Sequence, residues 1–138
     1  MPASSLHGTP SMNLHLLYVG LGGAIGAMAR HLLGGWVLHH TAQGRFPAGT
    51  FAVNVLGCLL IGVLAGLAER HAMFPPPLRV FLFTGLLGGF TTFSAFGLET
   101  LHLLRRGEAG MAAAYVLGSV LVGLAAVWIG FRLVGGPR

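Results

Sequence analysis

The segment 85–96, GLLGGFTTFSAF, places glycines, hydroxyl residues and three phenylalanines in the middle of an apolar run over 78–104. About 20 helical residues, each rising ~1.5 Å, cross ~30 Å of hydrocarbon. Glycine and β-branched threonine weaken a helix at that depth. Non-helical backbone is tolerated there only when it is buried in protein or lines a wet cavity. The segment therefore predicts a membrane helix that is broken mid-membrane, beside an ion or small-solute site.

The composition indicates an all-α membrane protein. Hydrophobic residues make up 54% of the 138 residues and charged residues only 8%, whereas soluble domains have about 25% charged residues. The net charge of +5 does not predict nucleic-acid binding, because the arginines are scattered and no lysine is present. An enzyme is not expected either, since the chain has no phosphate-binding loop, nucleophile triad or metal-ligand cluster.

Four apolar runs predict four transmembrane helices, separated by short linkers that contain glycine or proline. Residues 1–13 are polar and are predicted to form a disordered tail, and residues 14–138 to form a single four-helix transmembrane domain. The predicted spans are 14–38, 47–68, 78–104 and 111–134.

The arginines divide evenly between the two sides of such a bundle. Since an excess of Lys and Arg normally fixes which loops stay in the cytoplasm, an even division gives no preferred orientation. Either other details of the helices fix one orientation, or the chain inserts both ways and two copies pair antiparallel. One side carries Arg70, Arg79, Arg132 and Arg138; the other carries Arg30, Arg45, Arg105 and Arg106.

Three predicted spans carry glycines four residues apart, a spacing that places them on one helix face and lets neighbouring helices approach closely. This pattern predicts helix packing and nothing more specific. The pairs are Gly22 and Gly26, Gly62 and Gly66, and Gly85 and Gly89.

Asn54 lies in the second span, with Thr50 one turn before it on the same face. A carboxamide in hydrocarbon must find hydrogen-bond partners, because an unpaired one costs several kcal/mol. One interpretation is an interhelical hydrogen bond worth ~0.6–2 kcal/mol. The favoured interpretation is an amide N–H that is offered to an anion, with the Thr50 hydroxyl as a second donor.

Phe93 and Phe96 are three residues apart and share a helix face. Such residues usually contact lipid or pack, but their ring edges carry positive partial charge and can coordinate a small, hard anion beside hydroxyl donors such as Ser94. On the fourth span, Tyr115 and Ser119 form a possible polar stripe that only Gly123 continues.

Two charged residues near the spans have open roles. Arg30 is expected to reach the interface or to pair with helix ends, because an isolated charge in hydrocarbon is costly. Glu99, three residues beyond Phe96, is either a vestibule residue or a simple interfacial charge.

Three segments together resemble the Fluc (CrcB-type) family of small fluoride channels, across all four spans. They are GGAIGAMAR at 22–30, GTFAVNVLG at 49–57 and GGFTTFSAF at 88–96. The resemblance implies a passive, fluoride-selective channel in the bacterial inner membrane that exports cytoplasmic fluoride and lowers its toxicity. It also implies an antiparallel, dual-topology homodimer with two pores in the lipid bilayer.

The resemblance assigns roles by motif position. Asn54 would be the pore-lining amide, with Phe93 and Phe96 along the fluoride path. Backbone carbonyls of Gly88 and Thr91 from both subunits would hold a structural sodium ion. The polar track would comprise Thr50, Ser94, Tyr115 and Ser119. The chain departs from the family pattern at Ala95 and Gly123, each of which removes a hydroxyl donor.

Two other functions fit four short spans. A proton-coupled drug exporter needs a mid-membrane carboxylate, but Glu69, Glu99 and Glu108 all lie near span ends or in loops. A non-conducting assembly subunit would use the glycine faces for packing, and it would leave Asn54 and the Thr-Thr-Phe-Ser segment unexplained.

Overall fold

The computed structural model describes residues 10–41, 44–71 and 74–135, and this part of the chain is helical apart from short connections. Helix α1 is Pro10–His40, α2 is Ala48–His71 and α5 is Ala109–Gly135. Between α2 and α5 lie α3, residues 76–90, and α4, Phe93–Arg105.

The four predicted spans are confirmed as helical stretches long and apolar enough to cross a membrane. They are Met12–His40, Ala48–Arg70, Pro76–Arg105 and Ala109–Gly135; the second is one residue longer than predicted and the others are three or four residues longer. Helix α1 already begins at Pro10, inside the segment 1–13 predicted as a tail, and residues 1–9 lie outside the described residues.

Helix α3 is irregular along its length. A short α-helical turn, Pro76–Arg79, leads into a π-helix, Val80–Leu87, which is followed by the turn Gly88–Phe90. At the end of the π-helix the Gly88 N–H donates to the Phe83 carbonyl, five residues earlier. Such π-helical segments are rare and are often found at functional sites.

The glycine faces predicted for helix packing are confirmed. On α1 and α3, Gly22 lies against Gly85, so a Cβ built on Gly85 would be 3.1 Å from the Gly22 Cα. On α2 and α5, a Cβ on Gly62 would be 3.0 Å from the Phe131 nitrogen. Helix α1 therefore packs closely on α3 and α2 on α5, with backbone against backbone.

Helix α4 ends in a motif that explains the sharp turn into α5. Gly107 has a φ of +76°, a left-handed conformation that glycine adopts without steric cost. The Glu108 N–H donates to the Leu103 carbonyl (2.9 Å) and the Gly107 N–H to the Leu104 carbonyl (3.0 Å). This Schellman arrangement lets α5 start at once and return alongside α2.

Candidate functional site

The helical path between α3 and α4 is interrupted at Thr91 and Thr92, which are both extended, with ψ values of 156° and 116°. Asn54 of α2 pairs with the backbone at this point. Its Nδ2 donates to the Thr92 carbonyl (3.0 Å), and its Oδ1 accepts from the Thr92 N–H (2.8 Å). The carboxamide thus replaces helical hydrogen bonds that the extended residues cannot make.

The interruption changes the partners of two backbone carbonyls. In a continuous α-helix, the Thr92 N–H would donate to the Gly88 carbonyl, but here it donates to Asn54. The Ala95 N–H would likewise reach the Thr91 carbonyl, but it donates to the Thr92 hydroxyl (3.2 Å). The Gly88 and Thr91 carbonyl oxygens have therefore lost the donors that helix geometry would give them.

Thr92 also starts α4. Its hydroxyl oxygen accepts from the Ala95 N–H as an N-cap and lies 3.3 Å from the Ser94 hydroxyl. Threonine is a favoured N-cap because it satisfies one of the N–H groups that a first helical turn leaves unpaired. Although Thr92 is polar, it is 9% exposed.

A cavity of about 380 Å³ opens beside the interruption, and we call it the interruption cavity. The Phe93 and Phe96 rings, with centroids 5.5 Å apart, form part of its wall. Phe93 is 84% exposed. Asn54 of α2 and Ser119 of α5 contribute amide and hydroxyl groups to the same wall, and other lining residues include Gly57, Cys58, Leu87, Gly88, Thr91 and Thr92.

A second cavity, of about 490 Å³, lies between α1, α2 and α4, and we call it the arginine cavity because Arg30 lines it. Thr50 and Glu99 line it as well, so charges of opposite sign share one cavity. Thr92 borders both cavities. The interruption is therefore the wall at which the two cavities meet.

Glu99 is the acceptor for two hydroxyl groups of the predicted polar track. The Thr50 hydroxyl donates to its Oε1 (2.7 Å), and the Tyr115 hydroxyl donates to its Oε2 (2.7 Å). Tyr115 is fully buried, and its ring lies 5.1 Å from that of Phe96 and 5.4 Å from that of Phe46. The carboxylate thus links α2 to α5 through α4.

The structure divides the predicted site residues into two groups. Asn54, Phe93, Phe96 and Ser119 line the interruption cavity together with Gly88 and Thr91. Thr50 and Tyr115 meet at Glu99, Thr50 lines the arginine cavity with Arg30, and Ser94 contacts Thr92.

Sequence reasoning did not single out Thr92 or Cys58. Thr92 has a signal that could have identified it, because a threonine before a helical run is a common N-cap. Cys58 has none, since a cysteine in an apolar run is ordinarily a packing residue. The interhelical hydrogen bond that was the alternative for Asn54 is present, and it leaves the second Nδ2 hydrogen for another acceptor.

The fold and the two cavities define a small, helical, multi-pass membrane protein. Residues 17–131 match the family model described as CrcB-like protein, Camphor Resistance (CrcB). The chain belongs to this CrcB-like family.

Several bacterial relatives align with this chain over nearly their whole length. A protein of Methylobacillus flagellatus named "Fluoride-specific ion channel FluC" is 59% identical over 86% of this chain and 93% of its own. Proteins of the same name from Agrobacterium fabrum and Nitratidesulfovibrio vulgaris are 45% and 47% identical, over 87% and 83% of this chain and 95% and 92% of their own.

Proposed function

We propose that this protein is a fluoride-selective passive ion channel that exports cytoplasmic fluoride and so lowers fluoride toxicity. The observation that carries the proposal is the pair of cavities that meet at Thr92, one of them lined by Asn54, Phe93, Phe96 and Ser119. The name of the 59% identical relative supports the choice of ion.

Fluoride is small and strongly hydrated, so a pore has to replace its water with several donors at once. Amide N–H, hydroxyl and aromatic ring-edge groups provide such donors without a full positive charge. Conduction requires binding that is favourable enough for the ion to enter and weak enough for it to leave. The lining of the interruption cavity has this chemistry.

Asn54 is the central donor in this proposal. One Nδ2 hydrogen is engaged by the Thr92 carbonyl, which fixes the orientation of the amide, and the second remains for fluoride. The Phe93 and Phe96 ring edges and the Ser119 hydroxyl complete the coordination, and Ser94 adds a hydroxyl beside Thr92.

Thr50 and Tyr115 form the second stage of the path. Both hydroxyls donate to Glu99, so they become available to fluoride only when the carboxylate releases them. Arg30, in the same cavity, supplies positive charge that offsets the carboxylate along the path.

We further propose that two copies form an antiparallel, dual-topology homodimer in the bacterial inner membrane, with the interruption at mid-membrane depth. The even division of arginines permits both orientations. Phe93 is 84% exposed on the single chain, so a second copy would close the open side of the interruption cavity and exclude lipid from the path.

We also propose a structural sodium ion at the backbone of the interruption. The Gly88 and Thr91 carbonyls lose their helical donors to Asn54 and Thr92, and carbonyl oxygens are suitable ligands for a hard cation. The same residues from two copies would hold the ion, which would supply positive potential and bind carbonyl oxygens that have lost their regular helical donors.

Ion release from liposomes tests the function. Purified protein is reconstituted with potassium fluoride or potassium chloride inside, and efflux is started with valinomycin and followed with fluoride- and chloride-selective electrodes. Fast fluoride release with negligible chloride release is expected. Release of neither ion by folded protein, with sodium present, would contradict the proposal.

A second measurement tests the antiparallel arrangement. In right-side-out spheroplasts of cells that express the protein, an impermeant protease or thiol reagent should reach an engineered site at either end of the bundle in about half of the copies. A Cys58→Ser background removes the single native cysteine. Modification of one end only would establish a fixed orientation and refute dual topology.

A further inference from the structure

Gly123 interrupts the polar stripe of α5. Tyr115 and Ser119 are one turn apart, and Gly123 follows one turn later on the same face, buried and without a side chain. A Cβ built on Gly123 would lie 3.4 Å from the Cys58 Sγ of α2, which is its one neighbour within 4 Å among the described residues. The thiol therefore borders the space that a side chain at 123 would fill.

The backbones around this pair cannot shift easily to make room. One turn after Cys58 on α2, Gly62 packs on the Val127 carbonyl. About two turns after Gly123 on α5, a Cβ on Gly130 would lie 3.0 Å from the Val63 nitrogen. These backbone contacts fix the spacing of α2 and α5, because interiors packed this closely adjust poorly to added volume. Extra volume at 58 or 123 must therefore be taken up by the side chains.

Within the part of the chain that the structure describes, the Cys58 side chain has free space only on the side of the interruption cavity. Cys58 lines it together with Asn54 and Ser119. A thiol pushed away from α5 would consequently move toward the groups assigned to fluoride.

We propose that Cys58 is a positioning residue for the conduction path, and that its thiol, seated beside Gly123, sets the width of the interruption cavity one helical turn beyond Ser119. The inference rests on the proposed channel function, and it adds Cys58 and Gly123 as a pair of residues that determine the width of the interruption cavity. Cys58 acts through its volume, since a thiol is only a weak hydrogen-bond donor.

A double-mutant cycle on fluoride efflux tests the pair. Gly123→Val is expected to slow efflux about tenfold or more, because the branched side chain displaces the thiol into the path. Adding Cys58→Ala should restore the rate to within about threefold of the unaltered chain, since it removes the displaced atom. Gly118→Val is the matched control: it adds the same side chain to α5, where a Cβ would lie 3.8 Å from Phe51 and outside the cavity lining.

Thiol labelling gives a readout that does not depend on conduction. Cys58 is the single cysteine, so its reaction with a small water-soluble methanethiosulfonate can be followed by intact-mass spectrometry. Gly123→Val should raise the labelling rate several-fold over the unaltered chain and over Gly118→Val. Unchanged labelling, or a slow Gly123→Val channel that Cys58→Ala does not rescue, would overturn the inference. If the unaltered chain releases no fluoride, the proposed function fails, and labelling alone decides whether residue 123 controls the position of the thiol.

Discussion

Helix α2 meets its neighbours in two different ways along its length. Around Gly62 and Gly66 it packs on α5 with backbone against backbone, and both helices keep their own hydrogen bonds. Two turns earlier, Asn54 faces extended residues and supplies both a donor and an acceptor to Thr92. Where neighbouring helices are continuous, packing needs only the right shape. Where a helix is interrupted, a side chain has to take over the hydrogen bonds of the backbone.

The largest effect is expected for Asn54→Asp. The carboxylate can still accept from the Thr92 N–H, but it cannot donate to the Thr92 carbonyl or to an anion, and it adds negative charge to the path. Fluoride efflux should fall by about 10- to 100-fold, because a hydrogen bond to an ion is worth ~1.5–3 kcal/mol. The measurement is fluoride release from liposomes that contain equal amounts of folded protein.

Leu56→Met is a suitable control for that measurement. It changes another residue of the same helix, which is 37% exposed and lies outside the lining of both cavities, and it keeps side-chain volume nearly constant, so it should leave efflux within about twofold. Unaltered fluoride flux in Asn54→Asp would mean that the amide serves only the backbone of the interruption.

The second prediction concerns the glycine contact on α2. In Gly62→Ala the new methyl group would meet the Val127 carbonyl and lie 3.0 Å from the Phe131 nitrogen, so α2 and α5 would have to separate. The free energy of unfolding in detergent micelles should fall by about 1–3 kcal/mol.

Gly20→Ala provides the matched comparison on α1. A Cβ at Gly20 has nothing within 4 Å among the residues that the structure describes, and alanine in a helix interior is favoured over glycine by roughly 0.5–1 kcal/mol. The two alanine substitutions should therefore act in opposite directions. Equal effects of the two would show that helix propensity outweighs close packing in this bundle.

The same contrast explains how much the sequence could predict. The four spans and the three glycine pairs follow from hydrophobicity and spacing, which are local properties of the chain. The sequence also directed attention to Asn54 and to segment 85–96. It could not show that Asn54 pairs with the Thr92 backbone, because the two residues are 38 positions apart and a carboxamide has no preferred partner type.

The role of Glu99 is a second feature that the sequence could not predict. Its distance from Phe96 in sequence placed it near the end of a span, and its role stayed open. Its two acceptor bonds come from Thr50 and Tyr115, on different helices. Such a convergence depends on how three helices pack, which no single segment encodes.

A smaller effect is expected at Thr92, whose side chain serves one backbone group while Asn54 serves two. Thr92→Ala removes the N-cap of α4 and should cost about 1 kcal/mol of unfolding free energy. Thr92→Ser keeps a hydroxyl and should cost clearly less. Both are measured by unfolding in detergent, and equal losses for the two variants would mean that the methyl group, not the cap, accounts for the effect.

The smallest effect is expected outside the membrane-spanning helices, for Arg45→Ala. The Arg45 Nε lies 3.9 Å from the Glu108 Oε1; the arginine side chain is 75% exposed and the glutamate side chain 18%. At this distance, and with the arginine largely in solvent, the pair should contribute ~0.2–1 kcal/mol and be screened by salt. The variant should therefore unfold with nearly unchanged free energy, and any difference from the unaltered chain should shrink between low and high salt. Unfolding at two salt concentrations measures this, with Arg105→Ala, another exposed arginine, as the control. A salt-independent loss of unfolding free energy above ~1 kcal/mol would contradict this prediction. It would show that the loop before α2 depends on polar contacts as strongly as the buried interruption does.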